Sequence, residues 1–263
     1  MRVVSWNLWW RFGDEWRERQ VRIIEALQEL RADIVGLQEV WAGRGTSQAE
    51  LLARALGMHA VFAAPSLPPP PTPAESPDQL GMDVGVAVLS RWPIVEVHEH
   101  RLPSTNRPPP VALRATLGHP AGPLHVVAAC VEWEPAFVDD HLAQTRALAT
   151  LATDPDLDGP LPVLLTADLN AGPDTPQIRT ITDVMVDTWL AGRGDGDGVT
   201  LSSENPYAPI DAHEQIDRRI DYVLARPGHR QHGVSVEGAF IAGRPAVGLP
   251  PSDHYAMVAD LVA

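Results

Sequence analysis

Residues 2–40 read RVVSWNLWWRFGDEWRERQVRIIEALQELRADIVGLQEV, and two periodicities alternate within them. From Arg2 to Leu8 aliphatic and aromatic residues alternate with polar ones, the pattern of a half-buried strand ending near Asn7. From Arg17 to Arg31 the apolar residues Val21, Ile24, Leu27 and Leu30, joined by Ile23, recur at helical spacing, with Asp14 as a candidate cap. Asp33 to Gln38 is again a short apolar strand, and it leads to Glu39. A strand, a helix and a strand, each strand delivering a polar residue at its exit, form the repeating unit of a layered α/β fold.

The rest of the chain extends this reading. Ser47 and Glu50 form a capping box for a helix that stops at Gly57. Seven of the 13 residues from Pro65 to Pro77 are proline, which removes backbone donors and predicts an extended, unpaired surface loop at about 65–77. Val84 to Leu89, Ile94 to Val97, Val111 to Leu117 and Leu124 to Val131 then read as successive strands between turn signals, a run that suggests antiparallel pairing. A helix over about Asp139 to Leu151 returns the chain to a strand at Val163 to Ala167, with later strands expected at Ile220 to Ala225 and Ala256 to Val262. Gly192 to Gly198 reads as a flexible acidic loop. No repeat or internal linker is evident, so one domain spanning 1–263 is expected.

With 44% hydrophobic residues the chain can bury a substantial core. Asp and Glu outnumber Lys and Arg by 34 to 20, so the mean surface potential repels polyanions and long duplex DNA is not the favoured partner. Acids gathered in a metal site would reverse that sign locally, so nucleic acid is not excluded. Cys130 is the only cysteine, which rules out an intrachain disulfide and thiolate zinc chemistry. The N-terminus lacks the features of a secretory signal, and no stretch reaches membrane-spanning length. A cytoplasmic monomer is the expectation.

Four polar signatures each follow an apolar strand: Asn7 in SWNLW, Glu39 in GLQEV, Asp168 and Asn170 in TADLN, and Asp253 and His254 in PSDHY. Strand ends on one edge can converge, and this inventory of carboxylate and amide oxygens suits a hard cation such as Mg2+ or Mn2+. Asp168 and Asn170 lie two apart, so in an extended segment both face one side; an Asp-x-Asn turn is the alternative.

The ordered set WNL, LQEV, GVAVLSRWPI, ADLN, RRIDYVL and SDHY, spread over residues 3–258, resembles the endonuclease/exonuclease/phosphatase superfamily with its deoxyribonuclease I-like fold. The resemblance implies an α/β (α+β) four-layer αββα sandwich, two packed, mainly antiparallel sheets flanked by helices, with the site across one edge. It also implies a Mg2+- or Mn2+-dependent hydrolase of phosphate esters, a phosphodiesterase or phosphatase acting on a small, lipid, sugar or nucleotide phosphate. By the same resemblance Glu39 is the principal metal ligand, Asn7 its helper and Asp253 a second metal-associated carboxylate. Asp168 would position the attacking water, Asn170 would donate to a phosphoryl oxygen, and His254 would contact the scissile phosphate or act as base. Asp221 would orient His254, unless it salt-bridges the adjacent Arg218 or Arg219.

Two positions depart from the family pattern. Ala167 stands where glycine is usual, a small change. Ala129, Cys130 and Val131 stand where Thr-His-Leu is expected, so the leaving-group histidine is missing and deoxyribonuclease-like cleavage is put in doubt. Cys130 is either a functional substitute or, as we favour, a buried small hydrophobe. Trp9, Trp10, Trp41 and Trp133 flank the motifs and form either an aromatic wall for substrate or ordinary core. Arg114, with Arg11 and Arg107 ranked behind the motif residues, is a candidate phosphate contact. Two rival readings remain: a nuclease acting on DNA or RNA, and a catalytically impaired ligand-binding member of the same fold.

Overall fold

Strands such as Val163–Asp168 and Asp83–Ser90 carry continuous apolar runs that require cover on each side, and the computed structural model shows what supplies it. It describes residues 1–229, 233–244 and 248–262. Its elements are β1 (Arg2–Asn7), α1 (Trp16–Leu30), β2 (Ile34–Gly43), β3 (Thr46–Ser47), α2 (Gln48–Leu56), β4 (His59–Ala63), β5 (Asp83–Ser90), β6 (Ile94–Arg101), β7 (Val111–His119), β8 (Gly122–Cys130), α3 (Val138–Ala152), β9 (Val163–Asp168), α4 (Pro176–Thr182), β10 (Val186–Asp187), α5 (Thr188–Ala191), β11 (Asp221–Arg226), β12 (Ser235–Ala242) and β13 (Ala256–Val262). One sheet runs β12-β13-β1-β2-β5-β4, with β3 on β2; the other runs β10-β11-β9-β8-β7-β6. The β1–β2 and β8–β9 pairs are parallel and the other pairs antiparallel.

Alternate residues divide between layers. Val3, Ile34, Leu164, Val223 and Met257 meet in the core between the sheets. Their neighbours Val4, Val35 and Val258 pack under α1 and α2, while Leu165, Leu224 and Val127 pack under α3 and α4. The expected four-layer αββα sandwich is therefore the observed one. The inward parity of β1, β9, β8 and β11 carries on to Asn7, Asp168, Cys130 and Asp221, so these residues close the inter-sheet layer at one edge.

Local details differ from the sequence reading for identifiable reasons. In α1 the buried residues are Arg19, Ile23, Leu27 and Leu30, whereas Val21 is exposed; hydrophobicity pointed to Val21, but the tertiary partners lie on the Arg19 face. Asp14 does not cap the helix, since the N-cap residue is Glu15 and makes no side-chain bond. The Ser47–Glu50 capping box and the left-handed Gly57 stop are both present. β5 and β6 belong to different sheets, so antiparallel pairing within the run begins at β6–β7. The proline-rich segment is not wholly a surface loop: Ser66 donates to Val84 O, Val111 donates to Pro65 O, and Leu67 is buried in the core. β4, β12 and the short α4 gave too little periodicity to be read.

The sheets approach closely where Gly36 of β2 faces Thr166 of β9. A Cβ on Gly36 would fall on Thr166 Oγ1, a branched side chain held by its own hydrogen bond to Val127 O at 3.2 Å. Gly36→Ala is expected to lower stability by about 2–3 kcal/mol, a fall in Tm of roughly 5–10 °C. Thr166→Ala in the same chain should restore part of the loss. Calorimetry of the single and double variants checks this, and an unchanged Tm for Gly36→Ala would rule out the close approach.

Candidate active site

The inward parity of β2 includes Ile34, Gly36 and Gln38, so in a regular strand Glu39 would face α1 and α2. It does not, because β2 inserts one extra residue against β5 between Leu37 and Val40, and Glu39 takes φ 51°. This β-bulge turns the Glu39 carboxylate toward the inter-sheet edge and returns Val40 to the helix side. Glu39 is therefore inside an extended strand, where the sequence reading put it just beyond a strand's end.

Asn7, at the end of β1, joins the sheets. Its Nδ2 donates to Glu39 Oε1 at 2.8 Å and to Asp168 Oδ2 at 2.9 Å, while its Oδ1 accepts from the Trp9 N–H at 2.9 Å. Asp221 lies directly across from Asp168 in the β9–β11 ladder, and Cys130 beside it in the β8–β9 ladder. Asp221 Oδ2 and His254 Nδ1 are 2.8 Å apart, the contact that the orienting role implied by the resemblance would use. Arg219, the competing partner, pairs instead with Asp187 at 2.7 Å. Asp253 is buried beside them and accepts from Ser252 Oγ at 3.2 Å.

Asn170 corrects the extended reading of TADLN. It adopts φ 48° and its N–H donates to Asp168 Oδ1 at 3.0 Å, an Asx turn. Its carboxamide Nδ2 donates to Val131 O at 3.0 Å and reaches Cys130 Sγ at 4.0 Å, and the second, weaker contact is the one a ligand would replace. Asp168, Asn170, Asp253, His254, Glu39 and Cys130 nevertheless line one cavity of about 230 Å³.

The cavity floor concentrates negative charge. Burial, then repulsion from Asp253, pushes the Glu39 carboxyl up to about 8. Burial, then Asp221, pushes Asp168 up to about 7, and burial also raises Asp253. Burial alone would lower the pKa of His254, but Asp221, Asp253 and Asp168 outweigh it and hold the imidazolium well above its ordinary value. Burial, then Asp168, raises the Cys130 thiol, and with 1% exposure Cys130 takes the buried, protonated reading.

Two donor sets could take a cation. Asp168, Asp221 and His254 present ligand atoms within 4.8 Å of one another; the hydrogen bond to His254 engages Asp221 Oδ2, while Asp221 Oδ1 is buried without a hydrogen-bond partner. Glu39 Oε2 is buried and has no hydrogen-bond partner, beside Asp253 and Asp168. An orphaned carboxylate oxygen among like charges fits a hard divalent cation, because such an ion satisfies the oxygen and offsets the repulsion.

The aromatic candidates separate. Trp9 and Trp133 line the cavity, with Trp133 braced by Arg107, which also pairs with Glu132 and Glu134. Trp10 and Trp41 instead pack with Met82 and Val84 in a buried cluster, Trp41 under Arg11. Arg114 is on the opposite face of β7 from the inter-sheet core, paired across to His98, and does not line the cavity. Nearness to a motif pointed to Trp10 and Trp41 and charge pointed to Arg114, and neither property decides which side of a sheet a residue faces.

Several contributors went unread. Phe12, Pro68, Leu201 and Gln215 also line the cavity; they come from loops without a transferable motif. Arg19, 1% exposed, donates through Nη1 to Leu8 O and Pro251 O and through Nη2 to Trp9 O, Trp10 O and Phe12 O. It thereby holds the loop after Asn7 against the one before Asp253. Its place in the run 19, 23, 27, 30 on a helix was the available signal.

A family model described as "Endonuclease/Exonuclease/phosphatase family" matches residues 4–254. No curated protein matches the sequence. Among solved structures, the chain is similar to an endonuclease/exonuclease/phosphatase from Beutenbergia cavernae DSM 12333 at 26% identity, TM-score 0.73, covering 99% of this chain and 71% of that one. It is similar at 13% identity to an endonuclease/exonuclease/phosphatase family protein from Leptotrichia buccalis C-1013-b, TM-score 0.74, covering 100% of both chains. It also resembles D. rerio TDP2 complexed with single strand DNA product, at 15% identity and TM-score 0.75, covering 100% and 99%.

Arg19→Met is expected to destabilise the protein by about 3 kcal/mol or more, because several buried carbonyls lose a charged donor. Arg19→Lys should recover little of that, since an ammonium lacks the planar fork. Urea unfolding measures both, and a near-native Arg19→Lys would refute the clamp. The raised carboxyls generate a pH prediction. Glu39 and Asp168 bind their protons more tightly when folded than when unfolded, so ionising them costs stability; the raised His254 contributes stability that is lost as pH rises. Both effects run one way, and in chelator Tm should fall between about pH 5 and about pH 8. Glu39→Gln should flatten that fall, and a Tm that rises across the window would contradict the assignment.

Proposed function

The chain belongs to the endonuclease/exonuclease/phosphatase family, and from that premise we propose that it is a divalent-metal-dependent hydrolase of phosphate esters. The observation that carries this reading is the Asn7 bridge between Glu39 and Asp168, with Glu39 Oε2 left unpartnered among further buried carboxylates. Glu39, helped by Asn7 and Asp253, would hold Mg2+ or Mn2+. When bound, that ion supplies electrophilic polarisation of a phosphoryl oxygen and stabilises developing charge.

The protein's own groups do the rest. Asp168, with its pKa pushed up to about 7, is a proton acceptor of suitable strength near neutral pH and prepares water for in-line attack. His254 engages Asp221 through Nδ1, which leaves Nε2 for the cavity; the imidazolium donates to a phosphoryl oxygen, the first of the two roles the resemblance offered. Asn170 donates its second amide N–H to the same group. Cys130, protonated and buried, takes no chemical part, so the position of the missing family histidine is filled by packing. No covalent enzyme intermediate is needed.

Chelator should abolish hydrolysis of simple phosphodiesters and Mg2+ or Mn2+ should restore it. Glu39→Gln, Asp168→Asn and His254→Ala should each lower kcat/KM by about 100-fold or more, while Cys130→Ser stays within a few-fold of native. Asp221→Asn should move the alkaline limb of the pH profile to lower pH, because His254 then releases its proton more easily. Full activity in chelator would overturn the metal-dependent reading, and a Cys130→Ser enzyme that fails only on poor leaving groups would make Cys130 a participant.

A further inference from the structure

The walls of the same cavity differ in kind from its floor. Trp9, Phe12, Pro68, Trp133, Leu201 and Pro209 surround the acidic floor with apolar surface, and no arginine lines it among the described residues. The sequence contains no lysine, so every permanently charged cation is an arginine. Three of those nearest the site are committed elsewhere. Arg11 lies over the rings of Trp16 and Trp41 and donates to Asp78 O; Arg19 gives both terminal nitrogens to backbone carbonyls; and Arg107 is paired with Glu132 and Glu134. Arg218 is exposed beside Gly172 and does not line the cavity. The adjoining depression, of about 70 Å³, brings further acids, Glu134 and Glu214.

The segment 201–217 walls one side of the cavity. Tyr207 packs against Trp9 with ring centroids 4.9 Å apart, Asn205 Nδ2 donates to Ser252 O and Asp253 O at 2.9 Å, and Gln215 Nε2 donates to Trp133 O at 2.8 Å. The strap is thus tied to the Trp9 side, to the loop carrying the candidate ligand Asp253, and to the Trp133 side. It adds a wall to an open sheet edge and leaves a half-open cavity of about 230 Å³, below the usual range for small-molecule sites, roughly 300–1,000 Å³.

We propose that this cavity selects phosphate esters with a single phosphate and a flat, apolar substituent held against Trp9 and Trp133, and rejects substrates carrying further phosphates. This rests on the phosphoesterase reading above. The bound cation and His254 can neutralise one phosphoryl group. A second phosphate has no cationic side chain on the cavity wall to meet, lies near further carboxylates, and must give up its hydration against apolar walls. An aromatic or similarly flat group instead gains stacking area on the indoles.

Four p-nitrophenyl esters test this on the metal-loaded protein, since all release the same leaving group: bis(p-nitrophenyl) phosphate, methyl p-nitrophenyl phosphate, thymidine 5′-(p-nitrophenyl phosphate), and that nucleoside ester with an added 3′-phosphate. We expect kcat/KM to fall by about tenfold or more on adding the 3′-phosphate, and to rise by about tenfold from the methyl to the second aryl ester. Trp133→Ala should shrink the aryl advantage, with Trp133→Leu as the second variant if the alanine chain folds poorly. Ala212→Lys, which places a cation on the cavity wall, should reduce the discrimination against the 3′-phosphate. Equal or faster hydrolysis of the 3′-phosphorylated ester, or no aryl advantage, overturns the selectivity and leaves the hydrolase reading standing. Failure to turn over all four esters, with metal present, overturns the hydrolase reading itself.

Discussion

The Asn7 carboxamide gives one N–H to Glu39 of its own sheet and the other to Asp168 of the opposite sheet, and the geometry of the site depends on that pair of bonds. Two ionised carboxylates about 5 Å apart repel by roughly 3 kcal/mol at an effective dielectric near 20, so they do not gather unaided. A neutral amide can hold both without contributing a charge of its own. A divalent ion drawn to the unpartnered Glu39 oxygen would find its ligands already placed by a bond network that also sets how the two sheets meet.

That placement has a backbone cost that the surroundings absorb. Trp9, Trp10, Glu39 and Asn170 all have positive φ, and such conformations cost non-glycine residues on the order of 1–3 kcal/mol each. Each is supported locally. Trp9 donates to Asn7 Oδ1, Asn170 donates to Asp168 Oδ1, and Arg19 takes the carbonyls of Trp9 and Trp10. The bulge at Glu39 is held by β1 and β5, which pair with β2 on either side. Strain therefore collects where side chains must be aimed, and the regular sheets on both sides resist its relaxation.

Polar floor and apolar walls act together. Aromatic and aliphatic surface around Glu39, Asp168, Asp253 and His254 lowers the local dielectric, which raises the carboxyls and strengthens their pull on the imidazolium. Cys130 belongs to the same economy of charge. A histidine there would place another ionisable group beside Asp168, whereas a protonated thiol with raised pKa adds packing without a charge and keeps His254 the only described imidazole lining the cavity.

The amino-acid sequence determined by itself what depends on neighbours along the chain. Alternation marked β1 and apolar runs marked β9 and β11 as strands, the Ser47–Glu50 capping box set the start of α2, and the order of short motifs named the family and most of the floor. It also favoured a buried Cys130, from the lack of any adjacent base. Only the tertiary structure decided that Glu39 points inward, because the bulge that turns it is a mismatch between β2 and β5, strands more than 40 residues apart in part of their pairing. It decided that Trp41 and Arg114 leave the site, since facing depends on which sheet a strand joins. It decided the role of Arg19, whose carbonyl partners range from Leu8 to Pro251. The strap over the cavity was equally hidden, because its contacts with Trp9, Trp133 and Asp253 join segments whose own sequences carry no periodic signal, and only burial of the assembled chain brings them together.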